Sequence, residues 1–327
     1  MRQKVLLTGA FGNVGQNTLK ELLKREHDVT CFDIKNKTNK KSYSELSKKW
    51  QFKTIWGDIL NKNDLNNAVS ETDCIVHLAA IIPPLSEKNP ELARKVNVEG
   101  TRNLIDAART LPIKPRFIIA SSASVYGVTM DLEPPTTVDT PLNPSDHYSH
   151  TKVECETMLR ESGLPWIILR LAAVSVDKIP RKMDVSILFE MPLDQRTEFV
   201  SSRDCGIAFA NAVNLTEINK VFLIGGGDGC QLTQREFLGG FFDAFGLKML
   251  PDSAFKKPTK NEDWFYIDWM DTKESQKALK YQTESFKKYV ERLKQSFRLR
   301  RFAMKIIAPL AKSFLLKKSP YYKSSDN

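Results

Sequence analysis

The chain predicts an α/β fold: a doubly wound parallel sheet with helices on both faces and a smaller C-terminal lobe interleaved with it. Three observations predict it. Over the first two-thirds of the 327 residues, short apolar runs alternate with helical patterns, as expected of strands buried on both faces and joined by crossover helices. A glycine-rich turn separates the first apolar run from the first helical pattern, and an acid closes the second run.

In order, residues 4–8 (KVLLT) are a buried-strand run, and the helix "VGQNTLKELLKRE" (14–26) carries Val14, Leu19, Leu22 and Leu23 as an apolar stripe. Residues 28–32 and 52–56 predict the second and third strands, and 74–80 (CIVHLAA) the fourth. A helix is expected over 92–109 and a fifth strand over 116–122 (RFIIASS). A helix over 148–162 then ends at Gly163 and Pro165, ahead of a sixth strand at 166–170. Beyond Leu171 the prolines 180, 192, 251 and 258 break the pattern, leaving 221–227 as one more strand and 233–245 as a helix. The expected organisation is a sheet domain over 1–172 completed by parts of 196–226, a smaller lobe over 173–291, and a tail over 292–327.

Composition narrows the function classes. A hydrophobic content of 41% and a mean hydropathy of -0.35 describe a soluble globular chain. The first apolar run is too brief for a secretory signal and no segment has about 18 uninterrupted apolar residues, so a cytoplasmic location is expected. Five cysteines and four histidines are scattered without metal-ligand spacing, so no metal and no disulfide framework is expected. The net charge of +10 sits in the tail, where 292–327 holds ten Lys and Arg against Asp326. The body is nearly neutral, and no basic-aromatic module for nucleic acid is present.

"TGAFGNVG" places Gly9, Gly12 and Gly15 between a strand and a helix. Such glycines permit a tight turn and close approach of backbone to a pyrophosphate, whose charge the exposed N–H groups of the helix start attract. Asp33 lies 18 residues past Gly15, where a carboxylate accepts from ribose hydroxyls. This is the layout of a Rossmann-type NAD site, with Gly9, Phe11, Gly12, Asn13, Val14, Gly15 and Asp33 as candidate contacts. The acid favours NAD over NADP, whose 2'-phosphate it would repel; Lys35, Lys37, Lys40 and Lys41 read as a solvated loop. Asp58 and Ile59 after the third strand are candidates for the adenine side, and Leu78, Ala79 and Ala80 border the cofactor's route.

"YSHTK" sets Tyr148 and Lys152 four apart, on one helix face. A tyrosine of ordinary pKa is a poor base at neutral pH; an ammonium one turn away favours the phenolate, and the pair can then exchange a proton with a secondary alcohol or a ketone. The flanking His147 and His150 read as exposed bystanders.

Taken together, Gly9-x-x-Gly12-x-x-Gly15, "VNVEGT", "SSASVYG" and "YSHTK", in that order, resemble the extended short-chain dehydrogenase/reductase superfamily, which contains the NAD-dependent sugar epimerases and dehydratases and, more distantly, hydroxysteroid dehydrogenases. The resemblance covers roughly 3–172 and resumes weakly at 198–213. It implies Ser122 as the hydroxyl that orients the substrate oxygen, ahead of Ser121 and Ser124, with Tyr148 as acid/base and Lys152 as its pKa-lowering partner and ribose contact. It also implies that Asn97 lies near the active-site helix and the nicotinamide ribose. Where the family's dehydratases carry an Asp-Glu pair after the catalytic hydroxyl residue, this chain has Ala123 and Ser124, which disfavours dehydration. A plain oxidoreductase acting at a secondary alcohol or ketone is the leading expectation. The alternatives are a nucleotide-sugar epimerase with transient hydride transfer, a hydroxysteroid-dehydrogenase-like enzyme on a lipid, and a non-catalytic NAD-sensing protein at a membrane. Arg181, Lys182 and Arg196 are the candidate diphosphate contacts, and "DWFYIDWMDT" (263–272) is a candidate lid.

The tail "RLRRFAMKIIAPLAKSFLLKK" (298–318) sets Leu299, Phe302, Ile306, Leu310 and Phe314 at helical spacing opposite Arg298, Arg301, Lys305 and Lys312, with Pro309 as a kink. Peripheral contact with the cytosolic membrane face and docking on the body or a partner subunit are both open readings. A small-molecule substrate is expected, and a homodimer is the expected assembly.

Overall fold

The structure, a computed structural model, describes residues 1–176 and 185–323. Its strands are β1 (Lys4–Thr8), β2 (Asp28–Asp33), β3 (Lys53–Trp56), β4 (Cys74–His77), β5 (Arg116–Ser122), β6 (Trp166–Leu171), β7 (Ala173–Val174), β8 (Arg196–Val200), β9 (Lys220–Ile224) and β10 (Gln231–Thr233). Seven of them form one parallel sheet in the order β3-β2-β1-β4-β5-β6-β9, while β10, β8 and β7 form a separate one. The helices are α1 (Asn13–Lys24), α2 (Lys37–Ser47), α3 (Lys62–Val69), α4 (Leu85–Lys88), α5 (Pro90–Arg94), α6 (Gly100–Thr110), α7 (His147–Arg160), α8 (Ser202–Ala212), α9 (Gln234–Ala244), α10 (Lys273–Leu279), α11 (Phe286–Ser296), α12 (Arg298–Ile306) and α13 (Ala308–Lys318).

Side chains of a strand alternate between the two faces, so each apolar run supplies two cores. Val5, Leu7, Val76, Ile118, Ile167 and Leu169 pack with Leu19 and Leu22 of α1 and Phe209 of α8. The intervening Leu6, Ile75, Phe117, Ile119 and Ile168 pack on the other face with Leu65 of α3, Leu104 of α6 and Leu159 of α7. Helices α1 and α8 lie close because position 206 is glycine: a Cβ there would come within 2.7 Å of the Asn17 carbonyl carbon. A third cluster, with Phe189, Leu193, Leu238, Phe242, Leu250 and Phe255, is the centre of the C-terminal lobe.

Several expected boundaries move for visible reasons. β4 ends at His77 rather than at residue 80: the Leu78 N–H is shared between the Thr8 carbonyl (3.3 Å) and the Thr8 hydroxyl (3.2 Å), and the Ala79 N–H turns to that hydroxyl (3.3 Å). The helix expected over 92–109 starts at Pro90 behind an Asn89 cap, and its middle, Lys95–Glu99, is a π-helical turn. The lysine-rich stretch read as a loop is helix α2, capped by Asn36, and its lysines are exposed. Asn61 likewise caps the unforeseen α3. Short polar helices have weak apolar periodicity, so only their caps announce them.

A buried polar network fixes α7 to the sheet. Arg170 of β6 and Glu156 of α7, both 2% exposed, meet in a two-pronged contact: Nε to Oε1 at 3.0 Å and Nη2 to Oε2 at 2.7 Å. The Ser121 hydroxyl donates to Glu156 Oε1 (2.6 Å), and Arg170 Nη1 donates to the Tyr126 hydroxyl (2.6 Å). Burial pushes the Glu156 carboxyl up, yet the guanidinium and the Ser121 hydroxyl outweigh it and hold the group below the usual carboxylate range. Removing Arg170 leaves Glu156 buried with only the longer contact to the exposed Arg160 (3.5 Å) in its place. Arg170→Ala is expected to cost about 3–5 kcal/mol in chemical denaturation, whereas Arg94→Ala, which breaks the exposed pair with Glu154, costs under about 1 kcal/mol. Equal losses would contradict this assignment of the network.

Candidate active site

Strand order reverses between β1 and β4, whose chain continuations run to opposite sides of the sheet. The carboxyl ends of such a pair open into a crevice, the usual ligand position in open parallel sheets. Here the crevice is a cleft of about 490 Å³, bordered by Gly9, Gly12, Asn13, Val14 and Gly15 on one side and by Leu78, Ala80, Ile82 and Pro83 on the other.

The glycine turn is shaped by close approach. Gly9 adopts φ +65°, and a Cβ there would lie 2.7 Å from the Ala79 nitrogen; at Gly15 a Cβ would overlap the Gly9 carbonyl oxygen at 2.1 Å. At Gly12 the only neighbour such an atom would meet is that same oxygen, at 3.3 Å, leaving this wall open to the cleft. Gly12 precedes α1 without a side-chain cap, so the positive end of the helix borders the cleft.

Asp33 stabilises the turn. Its Oδ2 accepts from the Phe11 N–H (2.9 Å), and Oδ1 accepts from Ile34 N–H and Asn39 Nδ2 (both 2.9 Å). Burial raises its pKa despite these bonds. Phe11 turns its ring into an aromatic cluster with Tyr43 and Trp56. Asp58 is exposed and accepts from its own turn at Leu60 N–H, while Ile59 is buried against Gly100. Asp58, Ile59, Phe11, Asp33 and Ala79 are not among the cleft-lining residues.

Asn97 is also set back from the cleft. It occupies the π-helical turn at 1% exposure, accepts from Ile81 N–H (2.7 Å), and donates to Ile81 O (2.9 Å) and Thr151 Oγ1 (3.2 Å). Its amide thereby ties the loop after β4 to α7, one residue before Lys152.

The far wall of the cleft brings together Ser122 at the end of β5 and Tyr148 and Lys152 on the first turns of α7. The helix starts at a capping box formed by Asp146 and Ser149, and Glu87 accepts from the backbone N–H groups of His147 and Tyr148. Ser122 Oγ accepts from both the Ser124 N–H (3.1 Å) and the Ser124 hydroxyl (2.9 Å). With its lone pairs occupied, Ser122 retains its own proton for donation. Ser124, the weaker alternative on sequence, therefore orients Ser122, and Ser121 is engaged with Glu156.

Lys152 is 5% exposed; its Nζ donates to the Ala120 carbonyl (2.9 Å) and lies 5.5 Å from the Tyr148 ring centre. The expected lowering of the Tyr148 pKa is not what the protein alone produces. Burial pushes the phenol above its usual value, aided by Cys155 and Asp146, while burial lowers Lys152. Desolvation penalises both charged forms and here exceeds their mutual support. Burial next to Lys152 also pushes His77 down to about 3, so its ring is neutral where it bridges Thr8 (2.7 Å) and Thr101 (2.9 Å).

The remaining lining comes from Ala120, Ser121, Ala123 and Ser124 beside Ser122, from Leu171–Val174 and Val176, and from Tyr266 and Ile267 of the candidate lid. That segment is fixed by Asp268, which Arg196 grips through Nε and Nη2 (2.7 and 2.8 Å) and to which the Thr129 hydroxyl donates (2.8 Å). Arg196 Nη2 also donates to the Thr129 and Leu132 carbonyls (3.0 and 3.1 Å), so this candidate diphosphate contact is engaged in holding the 263–272 segment. Arg181 and Lys182 lie outside the described residues. Beyond Tyr266 a second cavity of about 630 Å³ is lined by Asp146, Glu190, Lys256, Glu262 and Asp263 together with Trp264 and Phe265. Among the described residues, no group of three or more histidine, cysteine or acidic side chains is placed to hold a metal ion.

Comparison with known proteins agrees with this architecture. A UDP-N-acetyl-alpha-D-glucosaminuronate decarboxylase of Bacillus cytotoxicus is 38% identical over 129 residues, 39% of each chain. A 3-beta-hydroxysteroid dehydrogenase of Mycolicibacterium neoaurum is 34% identical over 158 residues, 47% of this chain and 41% of that one. The chain thus matches less than half the length of either relative. The crystal structure of a UDP-glucuronic acid 4-epimerase from Bacillus cereus, solved with UDP-glucuronic acid and NAD, superposes with a TM-score of 0.75 at 23% identity, covering 90% of this chain and 99% of that one. The model of the NAD dependent epimerase/dehydratase family matches residues 5–183. With its glycine turn, β2 to β6 of its parallel sheet and more than half of its length inside that match, the chain belongs to the NAD-dependent epimerase/dehydratase family.

Proposed function

We propose that the protein is an NAD-dependent oxidoreductase that interconverts a secondary alcohol and a ketone, with Ser122, Tyr148 and Lys152 as its catalytic residues. The observation that carries this reading is that one cleft is bordered both by these three side chains and by the open glycine turn at the uncapped start of α1. The residues present fit the cofactor. Gly12, Asn13, Val14 and Gly15 form a wall suited to a pyrophosphate, and Asp33, set behind that wall, keeps one acceptor site on Oδ2 for a ribose hydroxyl. NAD bound there supplies hydride exchange with the substrate carbon.

The chain's own groups then handle the oxygen. Ser122 donates its free proton to the substrate oxygen and fixes its position. Tyr148, held as a neutral phenol by burial, gives its proton to a ketone oxygen during reduction. In the oxidising direction the phenol first loses its proton to solvent, which requires added positive charge in the cleft, and the phenolate then accepts the alcohol proton. Lys152, anchored on the Ala120 carbonyl, holds its ammonium close to the ring and offers its remaining donors to a ribose.

Two features favour a substrate without a diphosphate. Arg196 is committed to Asp268, and the second cavity sets Asp146, Glu190, Glu262 and Asp263 against Lys256, which itself pairs with Asp263 (3.1 Å). A phosphate group there would face like charge. The cleft's apolar lining by Leu78, Ile82, Leu171, Val174, Val176 and Ile267 suits a ring or chain of carbon.

Three measurements test this reading. Tyr148→Phe is expected to lower kcat by roughly 10²–10⁴-fold while NAD affinity, read by calorimetry, stays within a few fold; wild-type turnover would overturn the assignment. Since burial raises the phenol's pKa, the ultraviolet difference titration between wild type and Tyr148→Phe should appear only above pH 10, the unperturbed tyrosine range. A signal below that range would mean that Lys152 outweighs burial. Turnover of the natural substrate should change NADH in step with product, accumulating it in oxidation and consuming it in reduction, and product without any net change in NADH would identify an epimerase instead.

A further inference from the structure

The tail carries an unpartnered surface of mixed apolar and basic character. The chain bends at Ile307, with Pro309 in the first turn of α13, so the tail is two short helices rather than one. One side of α13 is docked: Leu315 and Leu316 pack on the C-terminal lobe, and the Ser319 hydroxyl donates to the Ala254 carbonyl (2.5 Å). Arg301 anchors α12 through Asp243. The other apolar side chains stand in solvent, with Phe302 70%, Ile306 69%, Leu310 73% and Phe314 56% exposed. The side chain of Leu299 lies outside the described residues.

Around this crest Arg298, Arg300, Lys305, Lys312, Lys317 and Lys318 are exposed, and none has an acidic partner among the described residues. From 297 to 323 the sequence contains no acid at all. Lys248, Lys305 and Lys312 also border a cavity of about 570 Å³ between the tail and the segment that follows α9. Among the described residues no helix is long and apolar enough to cross a bilayer; exposed apolar side chains flanked by unpaired cations have the character of a surface that lies on a membrane.

We infer that α12 and α13 dock the protein on anionic lipid bilayers, with Phe302, Ile306, Leu310 and Phe314 entering the interface and the surrounding cations meeting lipid phosphates. Charge decides in favour of this occupant. A second copy of the chain would bring the same cations against these ones, whereas an anionic bilayer neutralises them while taking up the apolar crest. The inference is independent of the reaction proposed above.

Flotation of the full chain with vesicles of phosphatidylcholine, with and without phosphatidylglycerol, tests it. The natural chain is expected to float with the anionic vesicles, to remain free of the neutral ones, and to be released as salt is raised. The variant F302S/L310S, altered only at exposed positions, should bind at least about tenfold more weakly, and K305Q/K312Q similarly, at about 1 kcal/mol for each cation lost. Leu310→Trp, which keeps an apolar side chain, should bind as the natural chain does and so separates lost insertion from disturbed folding. Failure of the natural chain to float with anionic vesicles, or equal flotation by the serine and glutamine variants, would overturn the proposal. So would self-association abolished by F302S/L310S in a chain that ignores vesicles, since that result assigns the face to a second copy.

Discussion

The ion pair between Glu156 and Arg170 determines where the candidate catalytic groups stand. Glu156 lies one turn beyond Lys152 and two beyond Tyr148 on α7, so all three project from nearly one helix face. Its partner Arg170 is on β6, and its third ligand, Ser121, immediately precedes Ser122 on β5. A two-pronged charged contact tolerates little rotation or sliding, so this network sets α7 in register with the two strand ends beneath it. Asn97 performs the same service from the opposite flank by bridging Ile81 and Thr151. Glu156, Arg170 and Asn97 do not line the cleft, yet the positions of Tyr148, Lys152 and Ser122 depend on them.

Burial has opposite consequences in the two halves of the cleft. Around the glycine turn it is kept shallow, so a helix terminus and backbone groups border open space. Around α7 it is deep enough to raise the Tyr148 phenol and lower Lys152. A protein that desolvates an acid and a base side by side has made charge there expensive, and any cation entering the cleft changes the local balance strongly. The lone pairs of Ser122 illustrate a related economy: Ser124 occupies them, which leaves one proton with one direction in which to act.

The C-terminal lobe shows how a charged residue type alone misleads. Arg196 was a candidate for an anion, and its guanidinium instead satisfies Asp268 and two carbonyls to hold the Tyr266 segment over the cleft. In the tail the reverse holds. Apolar residues that helical spacing alone allowed to face the body are exposed, because Leu315 and Leu316 provide the docking contact instead.

The sequence by itself determined the parallel sheet and the turn between its first strand and helix, because those depend on local patterns: apolar runs of strand length, glycines at fixed spacing, and a Tyr-x-x-x-Lys pair on one helix face. β1 and β5 begin and end where the apolar runs do. The π-helical turn at Asn97, the end of β4 at His77 and the helices α2 and α3 were not legible. They are set by a side chain that competes with the backbone ladder, by partners distant in sequence, or by a single capping asparagine. Only the tertiary structure decided that burial outweighs Lys152 at Tyr148, that Glu156 and Arg170 join across the core, and that Arg196 faces an acid. Each of these rests on which atoms share a low-dielectric interior, and residues 14 to 72 positions apart in the chain meet there only after it has folded.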